Sequence, residues 1–330
     1  FFFCFDLIYG CWTCSECFVH AFIIVVKYIK TGVYMAEETA TQRIDFNELK
    51  SGGFIKQNQK DLFTVRLKVP GGRITPDKMM KIAEVAKKYS RMGYCHLSFR
   101  QSVEIIGVHI DDFDTVVKEL AAVGQKIASC GPRVRVPTAC GGCEYNPNGI
   151  MDTQSKALEV DEKFFGIPCP HKFKMGFSGC PIDCTRTREM DLGFQGVVYP
   201  VWGKDLCNGC TLCAKACQEG AIVPDKEGRP IFDESKCVYC GDCIRACPTD
   251  AWKDKKKGWL VRTGGKHGRH PREANEVLNF LPDNKVDDFV AATVTWYKEN
   301  GKPKERIGSC IDRVGLEKFK KEVVGAFLKA

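Results

Sequence analysis

Two separate groups of cysteines carry the chemistry of this sequence. Cys207, Cys210, Cys213 and Cys217 follow a C-x2-C-x2-C-x3-C spacing. Cys237, Cys240, Cys243 and Cys247 repeat it, with Pro248 directly behind. An earlier constellation has Cys140 and Cys143 in Thr138-Ala-Cys-Gly-Gly-Cys-Glu-Tyr-Asn-Pro, then Cys180 and Cys184 closing His171-Lys-Phe-Lys-Met-Gly-Phe-Ser-Gly-Cys-Pro-Ile-Asp-Cys. Thiolates spaced this tightly are metal ligands. Zinc also accepts four thiolates, but a doubled quartet of this spacing is the pattern that binds iron–sulfur cubes. The two pairs at 140/143 and 180/184 can hold one more cube. Gly141, Gly142 and Gly179 would let the backbone approach it closely.

The doubled quartet resembles the bacterial two-cluster ferredoxins over residues 204–252. In that pattern three thiolates wrap one cube and the fourth reaches the other. Cys207, Cys210, Cys213 and Cys247 are then expected to hold one [4Fe-4S] cluster, and Cys237, Cys240, Cys243 and Cys217 the second. Gln218 departs from the proline often found behind the first quartet. By itself this segment says only that electrons pass through.

The other constellation is more specific. Lys-Phe-Lys-x-x-x-Ser-Gly-Cys-Pro-x-Asp-Cys over 172–184 resembles the sirohaem/cluster motif of sulfite and nitrite reductases. It is most similar to the dissimilatory sulfite reductase subunits and the anaerobic sulfite reductase catalytic subunit, which also carry a ferredoxin module after the motif. The resemblance runs from about 45 to 324 and includes Gly264-Gly-Lys-His-Gly-Arg-His. It implies sirohaem plus three [4Fe-4S] clusters. Cys184 would be the thiolate bridging cluster and haem iron, with Cys140, Cys143 and Cys180 completing the cube. The family's first pair is spaced C-x5-C, so Cys169 stands as an alternative to Cys143, beside its reading as a buried structural thiol.

A carboxylate-rich tetrapyrrole and an oxyanion substrate both call for cations. The resemblance places Lys172 and Lys174 on the substrate side and Arg100 at the distal face of the haem. Arg66, Arg133 and Arg135 are further anion-binding candidates, each also readable as a solvated charge. His96 reads as structural, and Tyr145 and Asn146 as turn formers. The implied reaction is reduction of sulfite to sulfide, or of nitrite to ammonia, with electrons from a donor protein or subunit. A non-catalytic electron-carrying relative without sirohaem is the rival. The family's larger members hold two half-modules where this chain has one, so a homo-oligomer or a heteromer of related subunits is expected.

The bulk composition agrees. The chain has 330 residues, 44% hydrophobic and 27% charged, with a net charge of +8, which suits a globular protein that handles anions. No nucleic-acid-reading motif is present. Twenty cysteines in metal-type spacing point to a reducing cytoplasm. Residues 1–34 differ from the rest: apolar, with Cys11, Cys14 and Cys17 crowded together. The apolar run is too short and interrupted to span a membrane. Met35 reads as the native start and what precedes it as upstream sequence, with Cys11, Cys14 and Cys17 also readable as a metal site.

These groups must be positioned by an α+β framework. A ferredoxin-like half-domain is expected over 45–125. Alternation predicts a strand over Phe63–Val69, with Thr64, Arg66 and Lys68 on one face. Thr75-Pro76 starts a helix carrying Met79, Ile82, Ala83, Ala86 and Tyr89, which Gly93 ends. A second strand is expected over Tyr94–Ile106, with Cys95, Leu97, Phe99, Gln101, Val103 and Ile105 on one face, and a second helix over Asp111–Val123. The sirohaem/cluster domain is expected over 130–203 and 255–330, interrupted by the ferredoxin insert at 204–252. It should include a strand at Val134–Pro137 and helices at Val286–Glu299 and Gly315–Leu328.

Overall fold

The computed structural model describes residues 45–328. The leading segment, with Cys11, Cys14 and Cys17, lies outside the described residues.

The first part opens with α1 (Phe46–Ser51), β1 (Phe54–Lys56) and β2 (Leu62–Arg66), followed by α2 (Pro76–Tyr89), β3 (Cys95–Leu97), β4 (Val103–His109) and α3 (Phe113–Ala121). Its sheet is antiparallel in the order β1-β2-β4-β3. Thr75 caps α2 by accepting the Lys78 N–H, as its position before Pro76 requires. The buried stripe of α2 is Ile82, Val85, Ala86 and Tyr89, one turn-spaced face. Met79 and Ala83, expected in that stripe, are exposed. Along β2 the register slips between Phe63 and Val65, so Thr64 is buried too and strict alternation fails.

The expected strand over Tyr94–Ile106 is instead a hairpin. The Ser98 N–H donates to the Ser102 carbonyl and the Gln101 N–H to the Ser98 carbonyl, while Gln101 sits at φ 57°. Alternation continues across the reversal, so the turn is invisible to periodicity. Leu97 and Phe99 end up exposed at its tip rather than sharing the buried face of Val103 and Ile105.

The second part contains β5 (Thr138–Ala139), the short α4 (Gly142–Tyr145), α5 (Thr153–Phe164), β6 (Met175–Ser178) and β7 (Leu192–Trp202). After β7 come α6 (Leu212–Ala216), β8 (Ile222–Pro224), β9 (Pro230–Phe232) and α7 (Asp242–Arg245). The chain returns through β10 (Trp252–Thr263) and β11 (Asn275–Leu281), and ends with α8 (Val286–Asn300), α9 (Ile307–Val314) and α10 (Leu316–Glu322). Five strands form one sheet in the order β11-β10-β7-β6-β5. β5, β6 and β7 are parallel, and β7, β10 and β11 antiparallel. The core on this sheet is aromatic: Phe177 stacks on Phe194 at 4.8 Å, and Trp259 meets Phe177 edge-on at 5.7 Å. Val134–Pro137 contributes only a bridge from Val134 to Phe173. The expected helix over Gly315–Leu328 is α10 plus a 3-10 turn at Val324–Phe327.

Residues 203–251 leave and re-enter the sheet where Trp202 of β7 pairs with Trp252 of β10. They form a cysteine-rich excursion from one hairpin, with β8 and β9 as its own small sheet. β7 therefore supports both cysteine regions. At Gly196 it packs directly on Gly179, beside Cys180: a Cβ at Gly196 would stand 2.3 Å from the Gly179 oxygen. Two residues on, the Val198 N–H donates to the Tyr239 carbonyl at 3.0 Å, between Cys237 and Cys240. Gly196→Ala is expected to destabilise the chain by about 1–3 kcal/mol through this overpacking, read as a lower urea midpoint. An unchanged midpoint would mean the two backbones are not in contact.

Candidate active site and thiolate loops

The loop after β6 is shaped by its own polar residues. Ser178 donates to Asp183 Oδ1 at 2.8 Å and lies 2.6 Å from the Thr185 hydroxyl. Asp183, at φ 56°, also accepts the Thr187 N–H at 2.8 Å. Ser178 and Asp183 of the motif are thus turn builders that present Cys180 and Cys184 at the two ends of a tight loop. Cys140 faces this loop, its sulfur accepting the N–H groups of Gly142 (3.4 Å) and Gly179 (3.1 Å). Burial, then the neighbouring Cys140 and Cys184 sulfurs, push the Cys180 thiol up, so these three thiols share one small region. Cys184 and Cys143 are exposed. Gly142 and Gly179 pack against each other, backbone to backbone. Cys169 lies elsewhere, packed on the main core, its thiol 3.6 Å from the Ile167 carbonyl and pushed up to about 12 by burial.

The β3–β4 turn is fastened to this region. Gln101 makes a paired contact with the Ala139 backbone, donating to its carbonyl at 2.7 Å and accepting its N–H at 2.9 Å. Arg100 donates to the Val136 carbonyl at 2.6 Å. The Arg186 guanidinium, just past Cys184, stacks 4.6 Å over the Phe99 ring.

Around Arg100 the cations outnumber the anions. Burial, then Arg100 and Arg306, push the Lys174 amine down to about 8, with Asp191 opposing. Burial, then Arg306 and Arg135, also lower Lys172. Burial and Arg135 lower Arg100 to about 10. Arg135 donates to the Gly131 and Ser129 carbonyls. Buried cations that depress one another's protonation form a site prepared for anions. Arg66 is more committed: it pairs with Glu104 at 2.6 Å and donates to the Cys130 sulfur at 3.3 Å. Glu104 also holds His96 at 2.9 Å. Arg133 enters the structure through its backbone, bridging to Pro168.

Two residues escaped the sequence reading. Asp191 is fully buried and takes a two-point ion pair from Arg306, at 2.8 and 2.6 Å. It also accepts the backbone N–H of Lys174 at 2.8 Å. Asp191 thus fixes Lys174 and brings in Arg306 as an added cation. Neither stands near a recognisable motif.

In the excursion, burial and then the thiols of Cys237 and Cys240 raise Cys243, with Cys217 contributing. Burial raises Cys237, and Cys217 adds to it. Cys217, Cys237, Cys240 and Cys243 line one small pocket with Ile222 and Phe232. Burial raises the Cys247 thiol, but backbone N–H groups of Trp252, Thr249 and Ala251 lower it further. Trp252 also packs on Cys213. Cys217 thus stands with Cys237, Cys240 and Cys243, the arrangement a crossed pair of cubes uses. The orphaned indole N–H beside Cys213 and the backbone donors on Cys247 suit sulfur ligands of a cluster. Among the described residues no three His, Cys, Asp or Glu side chains close to the spacing of a single-ion site. Nor is any helix there long and apolar enough to cross a membrane.

Comparison with known proteins agrees with this geometry. The model of the nitrite and sulphite reductase 4Fe-4S domain matches residues 130–329, and that of the nitrite/sulfite reductase ferredoxin-like half domain matches 55–123. The chain is 35% identical to the coenzyme F420-dependent sulfite reductase of Methanocaldococcus jannaschii, over 82% of this chain and 44% of that one. It thus spans less than half the length of that relative. It is 31% identical to one of the subunits of the anaerobic sulfite reductase of Salmonella typhimurium, over 79% of this chain and 82% of that one. The fold is similar to that of dissimilatory sulfite reductase I, with TM-score 0.67 and 20% identity over 80% of this chain and 69% of that one.

Asp191→Asn should leave Arg306 buried without its counter-charge. A loss of about 3–5 kcal/mol is expected, measured by chemical denaturation. The apolar double variant Asp191→Leu/Arg306→Leu should recover much of it. Equal stability of wild type and Asp191→Asn would contradict the ion pair.

Proposed function

The chain belongs to the nitrite and sulfite reductase family, and we propose that it is a sirohaem-dependent sulfite reductase forming sulfide. Reduction of nitrite to ammonia is the alternative reaction of the same site. The names of both relatives, each a sulfite reductase or part of one, support sulfite. The observation that carries the reading is the docking of the Arg100–Gln101 turn onto Val136 and Ala139. It sets a cationic pocket beside the loop that carries Cys140, Cys180 and Cys184.

In this reading residues 45–125 are the half-domain, 130–203 with 255–330 the sirohaem/cluster domain, and 204–252 the ferredoxin insert. Three [4Fe-4S] clusters are held: one by Cys140, Cys143, Cys180 and Cys184, and two by the crossed quartets of the insert. Cys184 would also hold the sirohaem. Arg66, Arg100, Arg133 and Arg135 face haem carboxylates or substrate, and Arg306 joins them. When bound, the sirohaem and its coupled cluster would supply the electrons for sulfite reduction.

The chain's own residues do the rest. Lys172, Lys174 and the arginines neutralise the substrate oxygens as they gain charge. Arginine holds its protons at working pH, so the two protons needed as each oxygen leaves as water are relayed from solvent through a lysine. Lys174, lowered to about 8, can release a proton and be recharged near neutrality. Asp191 fixes its backbone from below. A donor protein or subunit reduces the insert. Two copies of the chain, or this chain and a related subunit, complete the assembly, and a reducing cytoplasm suits the thiolates.

The test is a visible spectrum of anaerobically purified protein before and after sulfite, with reductant present. Tetrapyrrole absorption that shifts with sulfite, together with sulfide release, is expected. Iron and sulfide without any tetrapyrrole would mean an electron carrier instead. The pH dependence follows from Lys174. Its charge is present below about 8 and lost above it, so the apparent sulfite affinity should fall as pH rises through that value. Lys174→Arg should abolish this fall while retaining binding, and Lys174→Gln should weaken binding at all pH. A wild-type fall that Lys174→Arg retains would assign it to another group.

A further inference from the structure

The neck of the cysteine-rich excursion holds two tryptophans whose polar atoms lack a well-formed hydrogen bond. Trp202 ends β7 and Trp252 begins β10, directly opposite each other across the ladder. Cross-strand partners project from the same face of a sheet. Both pack into one apolar cluster with Cys213, Cys217, Cys243 and Cys247. Trp252 is 3% exposed. The Nε1 atoms of both rings are buried, neither with a well-formed hydrogen bond, and the Trp252 N–H faces the Cys213 sulfur. A buried indole N–H normally finds an acceptor. Two orphans on one face, beside thiol sulfurs, indicate an acceptor that belongs at those sulfurs.

We propose that the Trp252 indole N–H, aided by that of Trp202, donates a hydrogen bond to sulfur of the cluster held by Cys207, Cys210, Cys213 and Cys247, raising its reduction potential. This rests on the iron–sulfur reading of the excursion. The physical reason is direct. Reduction adds one electron, and with it negative charge, to a cubane. The positive end of an N–H dipole stabilises the sulfur that shares the added charge, and hydrogen bonds to sulfur are among the determinants of cluster potential. The same sulfur region already receives the backbone donors of Trp252, Thr249 and Ala251 on Cys247. The other quartet lacks an indole donor among its lining residues. The two clusters thus become electronically distinct although their spacing motifs are the same. Trp252 is a positioning and tuning residue, since it acts on electron transfer through the cluster.

The test is a redox titration of the full chain with dithionite, followed by EPR, on wild type, Trp252→Phe and Phe232→Leu. Trp252→Phe keeps an aromatic ring and deletes the donor. Phe232 meets Trp252 edge-on at 5.6 Å, so Phe232→Leu loosens the packing and keeps the donor. The expected result is a more negative midpoint for one insert cluster in Trp252→Phe, with the second cluster's midpoint and the iron content unchanged, and no such shift of that first cluster's midpoint in Phe232→Leu. Unmoved midpoints in Trp252→Phe, or the same shift in Phe232→Leu, would overturn the proposal. Should Trp252→Phe fail to hold its clusters, pulsed EPR of reduced wild type in heavy water decides. An exchangeable deuteron coupled to the cluster and assigned to an indole by nitrogen-15 tryptophan labelling supports the hydrogen bond, and its absence overturns it. Wild type without acid-labile sulfide or any cluster signal would instead sink the iron–sulfur reading itself, and this inference with it.

Discussion

Backbone packed against backbone at Gly142, Gly179 and Gly196 is the constraint on which the site depends. No side chain separates these segments. A Cβ on Gly179 would come within 2.7 Å of Gly142 Cα, and one on Gly196 within 2.3 Å of the Gly179 oxygen. The loop carrying Cys180 and Cys184 is thereby pressed between the Cys140 turn and the central strand β7. Real Cβ atoms do not tolerate such distances, so these glycines are required for close approach rather than for flexibility. The same strand, two residues further along, accepts the Cys237–Cys240 turn through Val198, and further on it ends at Trp202. At roughly 3.3 Å per residue, β7 strings the catalytic thiols, the Cys217 group and the Trp252 neck in line. Under the proposed function, electrons entering the excursion would pass toward the catalytic loop within one chain.

The second organising feature is unbalanced charge. Arg100, Arg135, Lys172, Lys174 and Arg306 act on one another, and the buried carboxylate among them is that of Asp191. Burying like charges together is unfavourable, and the depressed lysines record that cost. A bound anion relieves it. Asp191 does two things at once: it neutralises Arg306 and it anchors the peptide of Lys174. The pocket can therefore remain folded when empty and still be poised for an oxyanion. Arg66 contributes less, because Glu104 has already claimed its guanidinium.

Much of this was legible in the sequence, and the reasons for the rest are physical. Cysteine spacing encodes the thiolate loops because the ligands of each loop lie within one turn of chain. Lys172 and Lys174 could be singled out because they precede such a loop. Asp191 and Arg306 could not: they are 115 residues apart and meet only through tertiary packing. Gln101 was read as a strand residue, since the reversal at 98–102 preserves alternation while turning the chain back. The long strand β7 went unassigned because a buried central strand reads as an apolar run without a period, and β10 because its first half, Lys253–Lys257, is charged and exposed. Cys169, weighed as an alternative to Cys143 beside its reading as a structural thiol, packs against the core.

The account stands or falls on the thiolate at 184, which is exposed at the end of its loop and free to join a cluster to a haem iron. The most direct measurement is Mössbauer spectroscopy of iron-57-enriched Cys184→Ser, prepared anaerobically beside wild type, with turnover measured on the same samples. The expected result is loss of the magnetic coupling between haem iron and cluster, and of turnover, while the spectra of the two insert clusters persist. Coupling and turnover that match wild type would contradict it.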